Sequence, residues 1–129
     1  MAYTLDRTLE GIGFDDAVDR TMEALSKHGF GVLTEIDVKA TMKKKIDADI
    51  SDYLILGACN PRMALEAMKL EPKVGAMLPC NVIVRSLGSG DVMVSAIDPV
   101  ASMQAIENET LKSLAGNVRA MLGDVIRDV

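Results

Sequence analysis

Tyr53–Val84 constrains the chain most, because two sharply punctuated turns enclose a helical segment between two apolar runs. Tyr53–Cys59 is continuously apolar, which predicts a central strand covered on both faces. Asn60 then offers a capping side chain, and Pro61 stands at the first helical position, where a missing N–H costs nothing. The helix is expected to run to about Leu70, burying Ala64, Leu65 and Met68, with Pro72 stopping it. A second short helix around Val74–Met77 leads to Pro79-Cys80-Asn81 and the next strand. The ten residues Glu71–Cys80 exceed the ~2–6 usual between helix and strand in a parallel crossover, so the return is expected to be antiparallel. Cys59 and Cys80 would then lie at one end of the sheet.

The flanking segments follow from periodicity. Tyr3–Leu9 alternates and reads as a strand ended by Gly11 and Gly13. From Phe14, apolar positions 14, 17, 18, 22 and 25 form a helical stripe that closes at Gly29. Phe30–Val38 alternates with Phe30, Val32, Ile36 and Val38 on one face and Glu35 and Asp37 on the other. Lys39–Asp47 reads as a short helix anchored by Val38, Met42 and Ile46, with Lys43, Lys44 and Lys45 turned to solvent. Asn81–Leu87 and Asp91–Ile97 flank Gly88-Ser89-Gly90 as a hairpin. Asp98-Pro99 repeats the cap-then-proline arrangement and starts a short helix through Met103. A last helix from about Asn108 aligns Leu111, Leu114, Ala115, Val118, Met121, Leu122, Val125 and Ile126; Gly116 and Gly123 within it imply close packing against the sheet or against another subunit.

The order β-α-β-α-β-α-β-β-α-α predicts an α+β fold with a mixed or mostly antiparallel sheet packed on helices. The rival is a doubly wound sheet, but neither GIGF nor GSG joins a strand to a helix as a phosphate loop requires. At 129 residues the chain is read as a single domain, 1–129, with core residues Val32, Ile36, Leu54, Ile55, Leu56, Val82, Val84, Val94, Leu114, Val118 and Leu122.

Composition narrows the function classes. Hydrophobic residues at 49% and charged residues at 26% exclude disorder, and no apolar run approaches the ~18 residues of a membrane span, so no membrane partner is expected. A net charge of −5, no Trp and only two Phe and two Tyr argue against nucleic acid. MAYTLDRTLEG lacks the pattern of an export signal, which makes a cytoplasmic location with reduced thiols the expectation.

GACNP at Gly57–Pro61, LPCN at Leu78–Asn81 and SAIDP at Ser95–Pro99 occur in order. With the residues between them they resemble the bacterial and archaeal family called domain of unknown function 302, over nearly the whole chain. The resemblance implies a small α+β domain similar in topology to the TATA-binding-protein-like fold, and a homodimer. It implies no activity, and likeness of fold to a DNA-binding protein is no argument for DNA binding.

Two readings of the cysteine motifs stand side by side. In one, Cys59, Asn60, Arg62, Cys80 and Asn81 line a crevice for a small molecule, with Ser95 and Asp98 as further candidates. Cys59 precedes a helix N-terminus, which stabilises thiolate or an anion and admits thiol-dependent redox or nucleophilic chemistry at Cys59 or Cys80. In the other, both thiols fill strand ends while the Asn residues serve turns and caps. A protein-interaction or regulatory module is the remaining class, with the lysine helix or the sheet face as its contact surface. His28, Cys59, Cys80 and a carboxylate are ligand types suited to zinc, but their spacing has no specificity, so neither metal nor cofactor is expected. The dimer expectation draws also on the apolar face of the last helix, continuous over about five turns.

Overall fold

A computed structural model describes residues 2–129. The alternating segments become strands β1 (Thr4–Leu9), β2 (Gly31–Asp37), β3 (Tyr53–Cys59), β4 (Cys80–Ser86) and β5 (Val92–Ile97). The periodic segments become helices α1 (Phe14–Lys27), α2 (Val38–Ile46), α3 (Pro61–Leu70), α4 (Pro99–Ser102) and α5 (Glu109–Asp128), with a 3₁₀ turn at Pro72–Met77. All strands join one sheet in the order β1-β5-β4-β3-β2, and every pairing is antiparallel. This is the α+β architecture the element order predicts; no parallel pair makes it mixed.

Helices α1 and α5 cover one face of the sheet. Under them Leu56, Ala58, Val82, Val84, Val94 and Ala96 alternate along the three central strands and pack with Leu25, Leu122 and Val125. A second apolar cluster lies beyond the sheet end, where Ala67 of α3, Val74 of the 3₁₀ turn and Met103 meet Leu111, Leu114 and Ala115 of α5. The long helix thus belongs to two clusters, and its apolar face is consumed within the chain.

Among the described residues α1 and α5 have no counterpart layer on the other face, where Ile36 is exposed and Ile55, Ile83 and Arg85 are half-buried. Tyr53–Cys59 is therefore buried on one side only, and Ile55 is half-buried rather than enclosed. Ile36 was expected in the core but is 47% exposed. The cause is a bulge: the register of β2 shifts between Val32 and Thr34, so Ile36 pairs with Ile55 on the open face while Val32 still pairs with Ala58. In α2 no residue is buried and Ile46 is 69% exposed, so the expected anchor reduces to half-buried Val38 and Met42.

Capping follows the side chains available. Asn60 Oδ1 accepts from Met63 N at 3.2 Å, Asp98 Oδ1 from Val100 N at 2.9 Å and Asn108 Oδ1 from Leu111 N at 3.0 Å. At the far end of α5 the Arg7 guanidinium donates to the carbonyls of Ile126, Arg127 and Val129, and Arg20 donates to Val129 O at 3.0 Å. These bonds satisfy carbonyls a helix C-terminus leaves without partners and place cations at its negative pole. Gly116 and Gly123 have no neighbour that a Cβ would meet within 4 Å, so close packing inside the chain does not explain them.

Candidate functional site

The ends of β3 and β4 and the second apolar cluster leave a cavity of about 300 Å³ between them. The sheet contributes Ala58, Cys59 and Cys80, and α3 contributes Met63, Ala64, Ala67 and Met68. Leu78 and Pro79 enter from the segment after the 3₁₀ turn, Pro99 and Met103 from α4 and its end, and Leu111, Leu114, Ala115 and Val118 from α5. Phe30 and Leu33 complete it from the β2 side. Leu33 is the residue the bulge leaves unpaired, and it stands 65% exposed at the rim with Met68 at 42%. A bulge that re-aims a side chain beside a cavity is a device sheets use at binding sites.

Local sequence explains the geometry. Antiparallel pairing sets Ala58 opposite Cys80, which brings the two cysteine motifs to one sheet end. Gly57 allows a close approach there: a Cβ on it would lie 2.2 Å from Thr34 Oγ1 and 2.9 Å from Pro79 Cγ. Gly29, at φ +83°, closes α1, and a Cβ on it would come 3.3 Å from Asn60 Nδ2, so this turn abuts the cavity wall. Asn108 reaches from its cap to Leu70 O at 3.4 Å, tying the start of α5 to the end of α3. Asp98 is buried; its Oδ2 accepts from Arg119 Nε at 2.9 Å, which fixes α4 against α5.

Of the residues singled out from sequence, Cys59, Asn60 and Cys80 share the cavity. Arg62 is exposed on the first turn of α3 and does not line it. Asn81 follows Cys80 along the strand and so faces the opposite side of the sheet. With Ser95 it borders a more polar crevice of about 470 Å³ on the open face, beside Asp6, Tyr53, Arg85 and Met93. Asp98 caps and braces α4. The sequence reading missed Leu33, Met63, Met103 and the α5 residues as cavity lining. It also misplaced the face of α3: Ala67 is buried with Met63 and Leu70 beside it, because the helix packs on α5 and the 3₁₀ turn, while Leu65 is 52% exposed and Met68 forms the rim.

The electrostatics of the cavity are those of an apolar cleft half open to solvent. Burial, reinforced by the neighbouring Cys59, pushes the Cys80 thiol up to about 11. Both cysteines are free. Helix α3 offers little to an anion: Pro61 has no N–H, Met63 N is held by Asn60 Oδ1 and Ala64 N by Asn60 O, leaving in its first turn only Arg62 N without a partner among the described residues. His28, a possible zinc ligand by type, bonds instead through Nε2 to Asp128 at 2.7 Å. Among the described residues no three His, Cys, Asp or Glu side chains are grouped to hold a metal ion. In the lysine cluster, Lys43 pairs with Asp47 at 2.8 Å and Asp49 at 3.3 Å.

The family model described as "Domain of unknown function DUF302" matches residues 5–129, nearly the whole chain. The chain belongs to the domain of unknown function 302 family. Among solved structures it is similar to the uncharacterized conserved protein DUF302 from Bacillus stearothermophilus, at a TM-score of 0.91 and 23% identity over 99% of this chain and 98% of that one. That likeness establishes the shared fold. No curated protein matches the chain.

Proposed function

We propose that this member of the family is a small-molecule-binding protein whose ligand occupies the cavity between the ends of β3 and β4 and the α3–α5 cluster. The observation that carries this reading is the cavity itself, about 300 Å³ in a chain of 129 residues and bordered by both cysteines and Asn60. Small-molecule sites begin at about this volume and combine apolar walls with few polar groups. The apolar walls of this half-open space stay in contact with water, a cost that an apolar occupant offsets by covering them. A thermal-shift screen tests the reading with wild type and Ala64→Phe, which fills the cavity from a half-buried position on α3. Compounds that stabilise wild type are expected to lose their effect on the variant. Equal responses of the two proteins, with Cys59 labelling by iodoacetamide unchanged by every stabilising compound, would refute it.

Thiol chemistry is the weaker reading of the same site, since a thiol at about 11 supplies almost no thiolate at neutral pH and leaves Cys59 without a second reactive sulfur.

We also propose a homodimer formed through the open sheet face, in the cytoplasm. Ile36 and Ile55 pair across this face and Ile55 pairs with Ile83, while Met93 and Ile97 extend the apolar area. Arg85 and Asp6 lie on the same face, a cation and a carboxylate that a two-fold contact can pair reciprocally between copies. The free thiols are in keeping with a reducing compartment, and no helix is long and apolar enough to cross a membrane. Light scattering at micromolar concentration is expected to give twice the chain mass, and Ile83→Glu to give the monomer. A monomeric wild type would remove this proposal and leave the cavity untouched.

A further inference from the structure

The cavity walls are selective about charge. Not one Lys, Arg, His, Asp or Glu side chain lines them. A ligand anion placed there would lose its hydration with no cation to replace it, and a ligand cation would meet no carboxylate. The helix N-terminus beside the cavity does not rescue an anion, because proline and the Asn60 cap use all but one of its free N–H groups. The thiol of Cys80, pushed up to about 11 chiefly by burial, shows the same penalty on forming a negative charge in this wall.

One polar group is left over. Asn60 lines the cavity with its side-chain oxygen committed to Met63 N, which fixes the amide so that Nδ2 lies on the other side, near Gly29. Nδ2 makes no hydrogen bond within the chain among the described residues, although an amide nitrogen has two donors to place. Three methionines, Met63, Met68 and Met103, supply deformable thioether walls suited to flat or irregular apolar surfaces. An apolar cavity of ~150 Å³ accommodates benzene, so one twice as large has room for two fused rings or an equivalent branched skeleton.

We propose that the cavity takes a neutral, largely apolar molecule, about two fused rings in size, with one carbonyl-type acceptor that receives a hydrogen bond from Asn60 Nδ2. This deepens the cavity reading and rests on it. The apolar skeleton fills the space between α3 and α5, and the acceptor faces the junction of Gly29 and Asn60. Carboxylates and amines of the same size are rejected because they arrive charged.

Three naphthalenes of matched size separate the parts: 2-acetylnaphthalene is neutral with an acceptor, 2-ethylnaphthalene is neutral without one, and 2-naphthoate is an anion. The chain has no Trp, so their fluorescence can be titrated directly at pH 7.5. The acetyl compound is expected to bind at one site per chain, at least fivefold tighter than the ethyl compound and at least tenfold tighter than naphthoate. Asn60→Asp keeps an oxygen to cap Met63 N while removing the donor, and is expected to abolish the acetyl-over-ethyl preference. Ala64→Phe is expected to abolish binding of both neutral probes; Cys59→Phe, from the rim, is the second blocking variant should α3 not tolerate the first. Naphthoate binding as tightly as the acetyl compound and lost in a blocking variant would overturn the ligand class while the cavity reading stood. A preference retained in Asn60→Asp would overturn the assignment of the donor. Binding of all three probes unchanged by both blocking variants, or no binding at all, would overturn the cavity reading as well.

Discussion

Gly57→Ala tests how the two cysteine motifs are held together. An ideal Cβ on Gly57 meets Thr34 Oγ1 at 2.2 Å and Pro79 Cγ at 2.9 Å, with Thr34 Cβ at 3.6 Å. Rotation of the Thr34 side chain can withdraw the hydroxyl, leaving an ordinary contact with its Cβ. The proline ring has no such freedom, and the strand pairing behind it, Gly57 with Asn81 and Ala58 with Cys80, resists a shift. Forcing an extra methyl into a packed site costs roughly 1–3 kcal/mol. Gly57 has no positive φ to preserve, so alanine also stiffens the unfolded chain, which returns ~0.4–1 kcal/mol. The expected net loss is about 1–2 kcal/mol, read as a lower urea midpoint at unchanged slope. Thr34→Ala removes the nearest obstacle, so the double variant should lose less than the sum of the single ones, by ~0.5–1 kcal/mol. Because Pro79 lines the cavity, Gly57→Ala should also weaken any ligand that depends on the cavity's shape. A Gly57→Ala protein as stable as wild type, or strict additivity with Thr34→Ala, would refute the close approach as the reason for glycine.

Gly116→Ala and Gly123→Ala should each raise stability by ~0.5–1 kcal/mol in urea titrations, since a Cβ at either position meets nothing and alanine is the better helix former. Asp128 is held at about 2, below the ordinary 3.8, chiefly by its bond to His28. The folded value lies below the unfolded one, so this stabilisation is complete above about pH 4 and lost as pH falls towards 2; carboxyl NMR should show the low value in wild type and a higher one, nearer the ordinary value, in His28→Ala, where Arg127 and Lys27 remain. Cys80, at about 11, should resist iodoacetamide in the folded protein at pH 8, whereas Cys59, only half-buried, should react first. Its raised value favours the folded thiol's proton, so stability should decline as pH rises from 9 towards 11, and Cys80→Ala should flatten that limb.

What the sequence made legible follows from the range of each signal. Asn60-Pro61, Asp98-Pro99 and Gly29 act within a few residues of themselves, and each cap or stop lies where the local chemistry requires. The ten residues after Leu70 carried the antiparallel return of β4 because connection length bounds topology. The β2 bulge carried no such mark. Val32, Leu33, Thr34 and Ile36 alternate well enough for a regular strand, and one extra residue moves every later side chain to the other face, which put Ile36 in the expected core and hid Leu33 from the cavity. The face of α3 was equally invisible, since Met63-Ala64-Leu65 and Ala67-Met68 offer two overlapping apolar stripes and only the position of α5 selects one. Asn81 illustrates the limit of motif reading: adjacency to Cys80 suggested a shared crevice, while strand alternation puts the two on opposite faces.

The capping residues also explain why a cavity persists where collapse would be expected. An apolar cleft between packed elements closes when its walls are free to move, because closing removes that surface from water, and methionine walls are among the most compliant. Here the walls are fixed from outside the cleft: Asn108 joins α5 to Leu70 O, Asp98 joins α4 to Arg119, and Asn60 sets the first turn of α3. Arg7 and Arg20 anchor the opposite end of α5 at Val129, on the far side of the sheet cluster. With α5 held at both ends by polar contacts, Leu114, Ala115 and Val118 cannot simply settle towards Cys80. Of the polar residues that sequence alone offers as ligands, Asn60 borders the cavity and Asp98 helps to brace it, while Arg62, Asn81 and Ser95 lie elsewhere. Loss of a brace such as Arg119 should act on the site through the position of α4, leaving the cavity's chemistry unchanged but its shape relaxed.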